Sequence, residues 1–186
     1  MIDHFFRFLI RLWLRVQVEG DLSQLRHGRV LIVSNHDSVL DGALLGLFLP
    51  GVTVAVAGEG LRRPLVRLLM RFVPHVILDP LRPLALKKLT WLVKRGRPVV
   101  VFPQGSATTT GSLTKIYDSA AVIAAHCDAS IVPVHIAGTL YSRYAAVSGH
   151  FPKRLFPPSR WCRLCHCLRP VRPRTRRRTP STARAR

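Results

Sequence analysis

Short apolar runs alternate with longer amphipathic stretches along most of the chain. The runs are bounded by Gly, Pro or polar residues, which is typical of buried strands, whereas the longer stretches have the length of helices. Strands are predicted at residues 30–33, 53–57, 75–78, 98–102 and 130–136, helices at residues 40–49, 64–72, 83–94 and 117–126, and a long loop at residues 103–114. This alternation favours an α/β domain whose sheet is covered on both faces.

The first apolar stretch, residues 5–16, differs from the others because arginines interrupt it at every fourth position. Arg7, Arg11 and Arg15 would form one stripe on a helix that otherwise carries Phe, Leu, Ile and Trp13. Such a helix can lie in the headgroup layer of a membrane, whereas a spanning helix needs about 20 largely uncharged residues. We predict an amphipathic membrane-interface helix; an ordinary helix packed on its own domain is the alternative.

The composition changes abruptly at Phe156-Pro157. Pro, Arg, Thr, Ala, Cys and His replace the apolar periodicity there, and such a segment cannot build a core. The sequence therefore predicts a membrane-associating segment (1–20), one folded domain (21–156) and a disordered Arg/Pro-rich tail (157–186). A reading-frame shift in GC-rich coding sequence produces changes of this kind, and it is our hypothesis for the tail.

The charge is strongly basic but unevenly distributed. The 186 residues are 48% hydrophobic and 20% charged, with a formal net charge of +20. Ten of the 29 Lys and Arg residues lie between Arg160 and Arg186, and without them 19 basic residues stand against 9 acidic ones. The remaining excess favours an anionic membrane or an acidic protein partner, although a basic surface with no partner would have the same composition.

The tail contains a tempting motif, Cys162-Arg163-Leu164-Cys165-His166, which has the spacing of a c-type haem attachment site. We reject haem because attachment needs an exported domain with an axial-ligand pocket, and we reject zinc because a second well-spaced ligand pair is missing. The N-terminus is also a poor signal peptide, since arginines interrupt its apolar run and no small-residue cleavage site follows. We therefore expect no metal, no disulfide framework and a location on the cytoplasmic side.

The strand predicted at residues 30–33 is followed by the polar motif Asn35-His36-Asp37-Ser38-Val39-Leu40-Asp41-Gly42. Ligands bind at such strand-to-helix turns in open α/β sheets, because side chains there project into a crevice beside helix N-terminal amides. A His at this place can act as a general base, and a nearby carboxylate can hold its ring in the tautomer that leaves one nitrogen free. We predict His36 and Asp41 as a catalytic pair; a His that only caps the helix is the alternative.

Three blocks of sequence resemble the glycerophospholipid acyltransferase family, which includes the 1-acylglycerol-3-phosphate acyltransferases. They are Val-Ser-Asn-His36 with Asp41-Gly42, the block Val101-Phe102-Pro103-Gln104-Gly105, which resembles the family's Phe-Pro-Glu-Gly, and the strand block Ile131-Val132-Pro133-Val134. Residues 108–118 are similar, more narrowly, to the acyltransferase half of bifunctional 2-acylglycerophosphoethanolamine acyltransferase/acyl-carrier-protein synthetases. The resemblance implies a central mixed sheet with helices on both faces.

The resemblance also implies an activity. A fatty acyl group would pass from a thioester on acyl carrier protein or coenzyme A to the free hydroxyl of a lysophospholipid, such as lysophosphatidylethanolamine. His36 would remove the hydroxyl proton, and Asp41 would orient His36 and stabilise the imidazolium, with no bound cofactor. The protein would be peripheral, on the cytoplasmic face of the bacterial inner membrane.

The acceptor site departs from the family pattern. The predicted substrate-binding residues are Pro103, Gln104, Gly105, Ser106, Lys115 and Pro133. Gln104 stands in place of the family's Glu, and Ser106-Ala107 provides no Arg. Gln104 can still donate and accept hydrogen bonds, and Lys115 or an arginine between Arg62 and Arg71 is a candidate for the missing positive charge.

Two alternative functions remain open at this point. The altered residues Gln104 and Ser106 would also suit a catalytically impaired membrane-bound remnant or adaptor. A basic nucleic-acid-binding protein is the other alternative, and binding would then weaken steeply with salt. No recognised nucleic-acid motif or interleaved aromatic platform supports it, so nucleic acid is not expected as a partner.

Overall fold

A mixed sheet of seven strands forms the centre of the computed structural model, which describes residues 7–12, 16–26, 28–78, 84–112, 115–142, 144–145 and 163–166. The strands are β1 (Gln17–Glu19), β2 (Val30–Ser34), β3 (Thr53–Ala57), β4 (His75–Leu78), β5 (Val99–Val101), β6 (Ser130–Ala137) and β7 (Arg163–His166), in the order β1-β7-β6-β2-β5-β3-β4. Strands β2 to β6 are mutually parallel, whereas β7 is antiparallel to β6 and parallel to β1. The predicted mixed sheet is confirmed.

The helices connect the parallel strands. They are α1 (Asp41–Phe48), α2 (Pro64–Met70), α3 (Leu84–Lys94) and α4 (Ser119–Cys127), with short 3-10 helices at Leu22–Leu25, Gly58–Arg62 and Thr139–Tyr141. Residues 7–12 of the predicted N-terminal helix are also helical. Val16 is not helical, and the other residues of that prediction lie outside the described residues. Within the described part of the chain, no helix has both the length and the apolar character that crossing a bilayer requires.

The two faces of the sheet carry separate hydrophobic clusters. On the first face, alternate strand residues such as Ile32, Val54 and Val100 pack with α1, α2 and Ile10 of the N-terminal helical segment. On the second face, Leu31, Val99 and their neighbours pack with α3 and α4. Because successive strand residues point to opposite faces, a strand buried on both faces must be apolar throughout. This is why the central strands were visible as continuous apolar runs.

The structure differs from the sequence prediction at both ends of the chain. β1 lies within the predicted membrane-associating segment (1–20), and β7 lies within the tail predicted to be disordered (157–186). The two strands pair with each other, and β7 also pairs with β6. Pairing of such short strands uses backbone groups, so it needs no apolar run that a sequence pattern could reveal. The other residues of the tail, including Cys162 and Cys167, are outside the described residues.

Helix α1 crosses the sheet at a glycine. The position that a Cβ would take at Gly46 lies 2.1 Å from Val73 Cγ1 and 3.1 Å from Val54 Cγ2. Real atoms do not approach as closely as this Cβ would approach Val73, so α1 can lie against Val73, which precedes β4, only without a side chain at this position. Gly46 therefore permits the close packing of α1, the helix that begins with Asp41, against Val73 and β3.

We predict that Gly46→Ala destabilises the fold, although Gly→Ala inside a helix is usually stabilising by about 1 kcal/mol. The added methyl group overpacks the core, which typically costs about 1–3 kcal/mol. Urea unfolding would measure the change. Val73→Ala makes room for the methyl group, so the double variant should be more stable than the sum of the two single changes predicts; strict additivity would contradict the proposed contact.

Candidate active site

The polar motif lies where the carboxyl end of β2 meets the first turn of α1. β2 is the central strand of three, with β6 on one side and β5 on the other. Residues that follow each of these parallel strands therefore converge at one edge of the sheet. The sequence placed the candidate chemistry at this edge, and the structure confirms that location for residues 35–41.

His36 and Asp41 are in direct contact. The Nδ1 atom of His36 lies 3.0 Å from Asp41 Oδ2, and the side chain of Asp41 is 0% exposed whereas that of His36 is 18% exposed. An ionised carboxylate can only accept hydrogen bonds, so with Asp41 ionised the Nδ1–H group of His36 donates a hydrogen bond to it. In the neutral ring, the other nitrogen, Nε2, then keeps a free lone pair.

Backbone amides hold Asp41 in place. Its Oδ2 atom accepts the N–H groups of Asp37, at 2.7 Å, and of Ser38, at 2.8 Å, in addition to the His36 ring. Its Oδ1 atom is buried and has no hydrogen-bond partner among the residues that the structure describes. The five-residue separation in the sequence therefore corresponds to a closed turn, in which one carboxylate organises both the backbone and the His36 ring.

The residues after β5 fix His36 from the other side. The ring of Phe102 stacks on that of His36, with centroids 4.2 Å apart and an interplanar angle of 21°. The side-chain Oε1 of Gln104 accepts the backbone N–H of His36 at 2.7 Å, and the backbone N–H of Thr108 donates to the His36 carbonyl oxygen at 2.8 Å. The ring plane and both backbone polar groups of His36 are thus set by a single neighbouring loop.

Asn35 joins the motif to β6. Its Oδ1 accepts the backbone N–H of Ile136 at 2.8 Å, and its Nδ2 donates to the Ile136 carbonyl oxygen and to Asp37 Oδ2, both at 2.9 Å. The side chain therefore continues the pairing of β2 with β6 beyond the last strand residue. Asn35 and Phe102 belong to the sequence motifs, but no role was predicted for either residue, because their partners lie on other strands.

A second carboxyl group lies beside the pair. Burial, followed by the nearby charge of Asp41, raises the pKa of Asp37, while the hydrogen bond from Asn35 and the positive forms of His135 and His36 act in the opposite direction. Asp37 is half-buried, and its contact with Asn35 directs the carboxylate toward β6. It does not hold the His36 ring, a role that belongs to Asp41.

The chain after β6 folds back over the motif. The hydroxyl groups of Ser38 and Ser142 are 3.2 Å apart, Ser38 forms an isolated bridge with Ala145, and the Val39 N–H donates to the Tyr144 carbonyl oxygen at 3.3 Å. Ser38 and Ser142 are both buried. No sequence pattern indicated this contact, because residues 138–145 have neither an apolar run nor a motif.

The predicted substrate-binding residues occupy different positions around the pair. All four residues of the block 103–106 belong to the loop after β5. Pro103 and Gln104 are buried, whereas Gly105 and Ser106 are exposed. Lys115 is exposed, with its Nζ 5.1 Å from the centroid of the Tyr117 ring, and the Tyr117 N–H donates to the Pro103 carbonyl oxygen. Pro133 lies inside β6, paired with Val33, and so before the carboxyl edge of the sheet.

An oriented imidazole with one open nitrogen, at the carboxyl edge of a parallel sheet, can take a proton from a substrate hydroxyl. This chemistry suits a group-transfer enzyme in which the substrate itself supplies the nucleophile. The chain belongs to the Acyltransferase family, whose family model matches residues 15–137. The expected family is therefore confirmed.

The fold is similar to that of a solved member of this class. The crystal structure of the 1-acyl-sn-glycerophosphate (LPA) acyltransferase PlsC from Thermotoga maritima matches with a TM-score of 0.61 and 23% sequence identity, covering 92% of this chain and 68% of that chain. The α/β fold with a largely parallel central sheet is thus the fold of that protein as well.

We predict that Asp37→Asn raises the melting temperature near neutral pH but not at pH 3. The raised pKa means that folding disfavours the ionised form of Asp37. The unfolded chain ionises near the ordinary value of 3.8, so the penalty is absent below that pH and grows as the pH rises toward the folded pKa. Asn cannot ionise and keeps a side-chain oxygen for Asn35. A melting temperature that is equally changed at both pH values would contradict this explanation.

Proposed function

We propose that this acyltransferase moves a fatty acyl group from a thioester, carried by acyl carrier protein or coenzyme A, to the free hydroxyl of a lysophospholipid. The observation that carries the proposal is the ring of His36, whose Nδ1 is held by a fully buried carboxylate while the ring itself is partly exposed. The similarity to an enzyme that is named for a lysophospholipid acceptor supports the choice of substrate class.

The proposed reaction proceeds in two steps. The lone pair on His36 Nε2 takes the proton of the acceptor hydroxyl as its oxygen attacks the thioester carbonyl carbon. The tetrahedral intermediate then collapses, the carbon–sulfur bond breaks, and the imidazolium returns the proton to the departing thiolate. Asp41 stabilises the imidazolium between these steps through the 3.0 Å contact with Nδ1. The products are a diacyl phospholipid and a free thiol.

The residues of the acceptor site favour a lipid with a modest negative charge. Gln104 is neutral, and Ser106 supplies none of the positive charge that an Arg would provide. A phosphodiester headgroup, as in lysophosphatidylethanolamine, carries less negative charge than a terminal phosphate and so needs less compensation. We propose that the exposed Gly105 and Ser106 contact the acceptor, that Lys115 provides its positive charge, and that Pro103, Gln104 and Pro133 shape the site.

Gln104 has a further part in this proposal. Its Oε1 already accepts the His36 backbone N–H, so the side chain positions the catalytic loop, residues 35–41, from a buried site. A Glu at this position would keep that hydrogen bond but add a second buried negative charge to the site. The Gln is therefore compatible with an active enzyme, and the family's Glu is not needed to hold the loop.

We expect acyl transfer to depend on both His36 and Asp41. His36→Ala should lower acyl transfer by roughly 10²- to 10⁴-fold, the usual effect of losing a general base, and Asp41→Asn should also lower turnover because an amide cannot stabilise the imidazolium. The assay combines membranes that contain the protein, labelled acyl-carrier-protein or coenzyme A thioester, and a panel of lysolipids. Since Asp41 acts through His36, the double variant should resemble His36→Ala alone.

The matched control is His126→Ala, which removes an exposed histidine from α4, on the other face of the sheet. It should leave transfer unchanged. Wild-type transfer by His36→Ala would remove the proposed mechanism, and multiplied losses in the double variant would show that Asp41 acts independently. No transfer by the wild-type protein to any lysolipid would favour the impaired adaptor instead.

We further propose peripheral attachment to the cytoplasmic face of the bacterial inner membrane through the N-terminal helical segment. Within residues 7–12, Ile10 packs into the core on the first face of the sheet, whereas Phe8, Leu9 and Leu12 are exposed beside Arg11. A helix that buries one apolar residue in its own domain and presents three others with an arginine can lie at a lipid surface.

The corresponding prediction uses point changes, since deleting the segment would also remove Ile10 from the core. Phe8→Ser with Leu12→Ser should weaken vesicle binding at least about tenfold, because each buried apolar side chain contributes roughly 1.5–3 kcal/mol. Vesicle sedimentation measures the effect. Leu84→Ser with Trp91→Ser, which changes exposed apolar residues on α3, is the control. Equal losses in both double variants would contradict attachment through the N-terminal segment.

A further inference from the structure

A row of arginines covers the outer side of the segment that connects β3 to β4. Arg62, Arg63, Arg67 and Arg71 are all exposed, and we call these four residues the arginine ridge. Arg63, Arg67 and Arg71 are four residues apart and flank or belong to α2, so they lie on one side of that helix. Between residues 58 and 72 the only acidic residue is Glu59. The ridge therefore presents a local excess of positive charge.

Exposed apolar side chains accompany the ridge. Leu68 follows Arg67 on α2 and is 48% exposed, and Ile77 on β4 is 57% exposed. The position that a Cβ would take at Gly58 is 3.8 Å from Ile77 Cγ2, so Ile77 lies beside the 3-10 helix that leads into the ridge. Single exposed apolar residues are ordinary on protein surfaces. Here they stand next to a cluster of arginines, which is the composition of a lipid-contacting surface.

The ridge and the N-terminal helical segment lie on the same face of the sheet. Val66, Leu69 and Met70 of α2 belong to the same hydrophobic cluster as Ile10. The outward sides of both segments therefore belong to one layer of the molecule, and the N-terminal segment presents Phe8, Leu12 and Arg11 there. Two separate parts of the chain thus expose arginine together with apolar residues on one face.

The ridge is also next to the catalytic loop. The position that a Cβ would take at Gly60 is 3.3 Å from Val39 Cγ1, and Val39 lies between His36 and Asp41 in the motif. A bilayer in contact with the ridge would therefore lie beside the site at which the acceptor must arrive. An acceptor that leaves the bilayer at this point would travel only a short distance to His36.

We propose that the arginine ridge, with Leu68 and Ile77, is a docking surface for the anionic headgroups of a lipid bilayer. The arginines neutralise lipid phosphates, and the two apolar side chains enter the headgroup layer between them. The proposal rests on the proposed function only in taking the acceptor to be a membrane lipid. It adds a second contact to the one proposed for the N-terminal segment and orients the catalytic edge relative to the bilayer.

The test measures vesicle binding of the full chain without substrate, so its result does not depend on turnover. Arg67→Gln with Arg71→Gln should weaken binding to vesicles containing phosphatidylglycerol by about 25-fold, which is two contributions of about 1 kcal/mol per basic residue at 1.4 kcal/mol per tenfold change. Binding to pure phosphatidylcholine vesicles should change little. Raised salt should reduce the difference between wild type and variant, since it screens exposed charges.

Lys87→Gln with Lys88→Gln is the matched control, because it removes the same charge from exposed positions on α3, which packs on the other face of the sheet. The control should bind phosphatidylglycerol vesicles within about threefold of wild type, an allowance for the change in overall charge. Equal losses in the two double variants would overturn the proposal, since they would show a dependence on net charge alone. The single variants Arg67→Gln and Arg71→Gln, each expected to lose about fivefold by the same conversion, replace the double variant if it does not fold.

An acidic protein partner is the other outcome that would overturn the proposal. In that case the ridge variant would bind vesicles as well as wild type, but its KM for acyl-carrier-protein thioester would rise while its KM for coenzyme A thioester would not. Failure of the proposed function alone would give a different result. The wild-type protein would then transfer no acyl group but would still require the arginine ridge for vesicle binding.

Discussion

The hydrogen bonds accepted by the buried carboxylate of Asp41 are the interaction on which the whole site depends. One oxygen accepts the backbone N–H groups of Asp37 and Ser38 and the ring proton of His36. A buried charge is tolerated only when it is paired and hydrogen-bonded, so the loop must take this shape for the carboxylate to remain inside. The same bonds that compensate Asp41 therefore also fix the tautomer of His36.

The sheet extends this local constraint to three strands. Asn35 attaches the motif to β6 through Ile136, while Gln104, Thr108 and Phe102 attach it to the residues after β5. Because these partners come from adjacent parallel strands, their alignment depends on the pairing of β2 with both neighbours. Gly46 adds a packing constraint on α1, the helix that begins with Asp41, since it lets this helix lie close to Val73 and β3. The geometry of the His36–Asp41 pair is a product of the core packing.

The elements that could be predicted from sequence are those with a strong local signal. The strand at residues 53–57 was predicted at its observed bounds because burial on both faces requires a continuous apolar run. His36 and Asp41 were recognised because their pairing is local. The roles of Asn35, Phe102 and Thr108 could not be predicted, since each depends on the register of two strands. β1 and β7 were missed because the backbone pairing of such short strands leaves no apolar pattern.

The central claim is that Asp41 holds His36 with its proton on Nδ1 and leaves Nε2 available to the acceptor. Nitrogen NMR of isotopically labelled histidine distinguishes the two ring nitrogens, and the signal that disappears in the His36→Ala variant identifies the residue. For the neutral ring we expect a protonated Nδ1 and an unprotonated Nε2. A neutral His36 with its proton on Nε2 would contradict the claim, because neither the contact with Asp41 nor the proposed proton transfer could then occur as described.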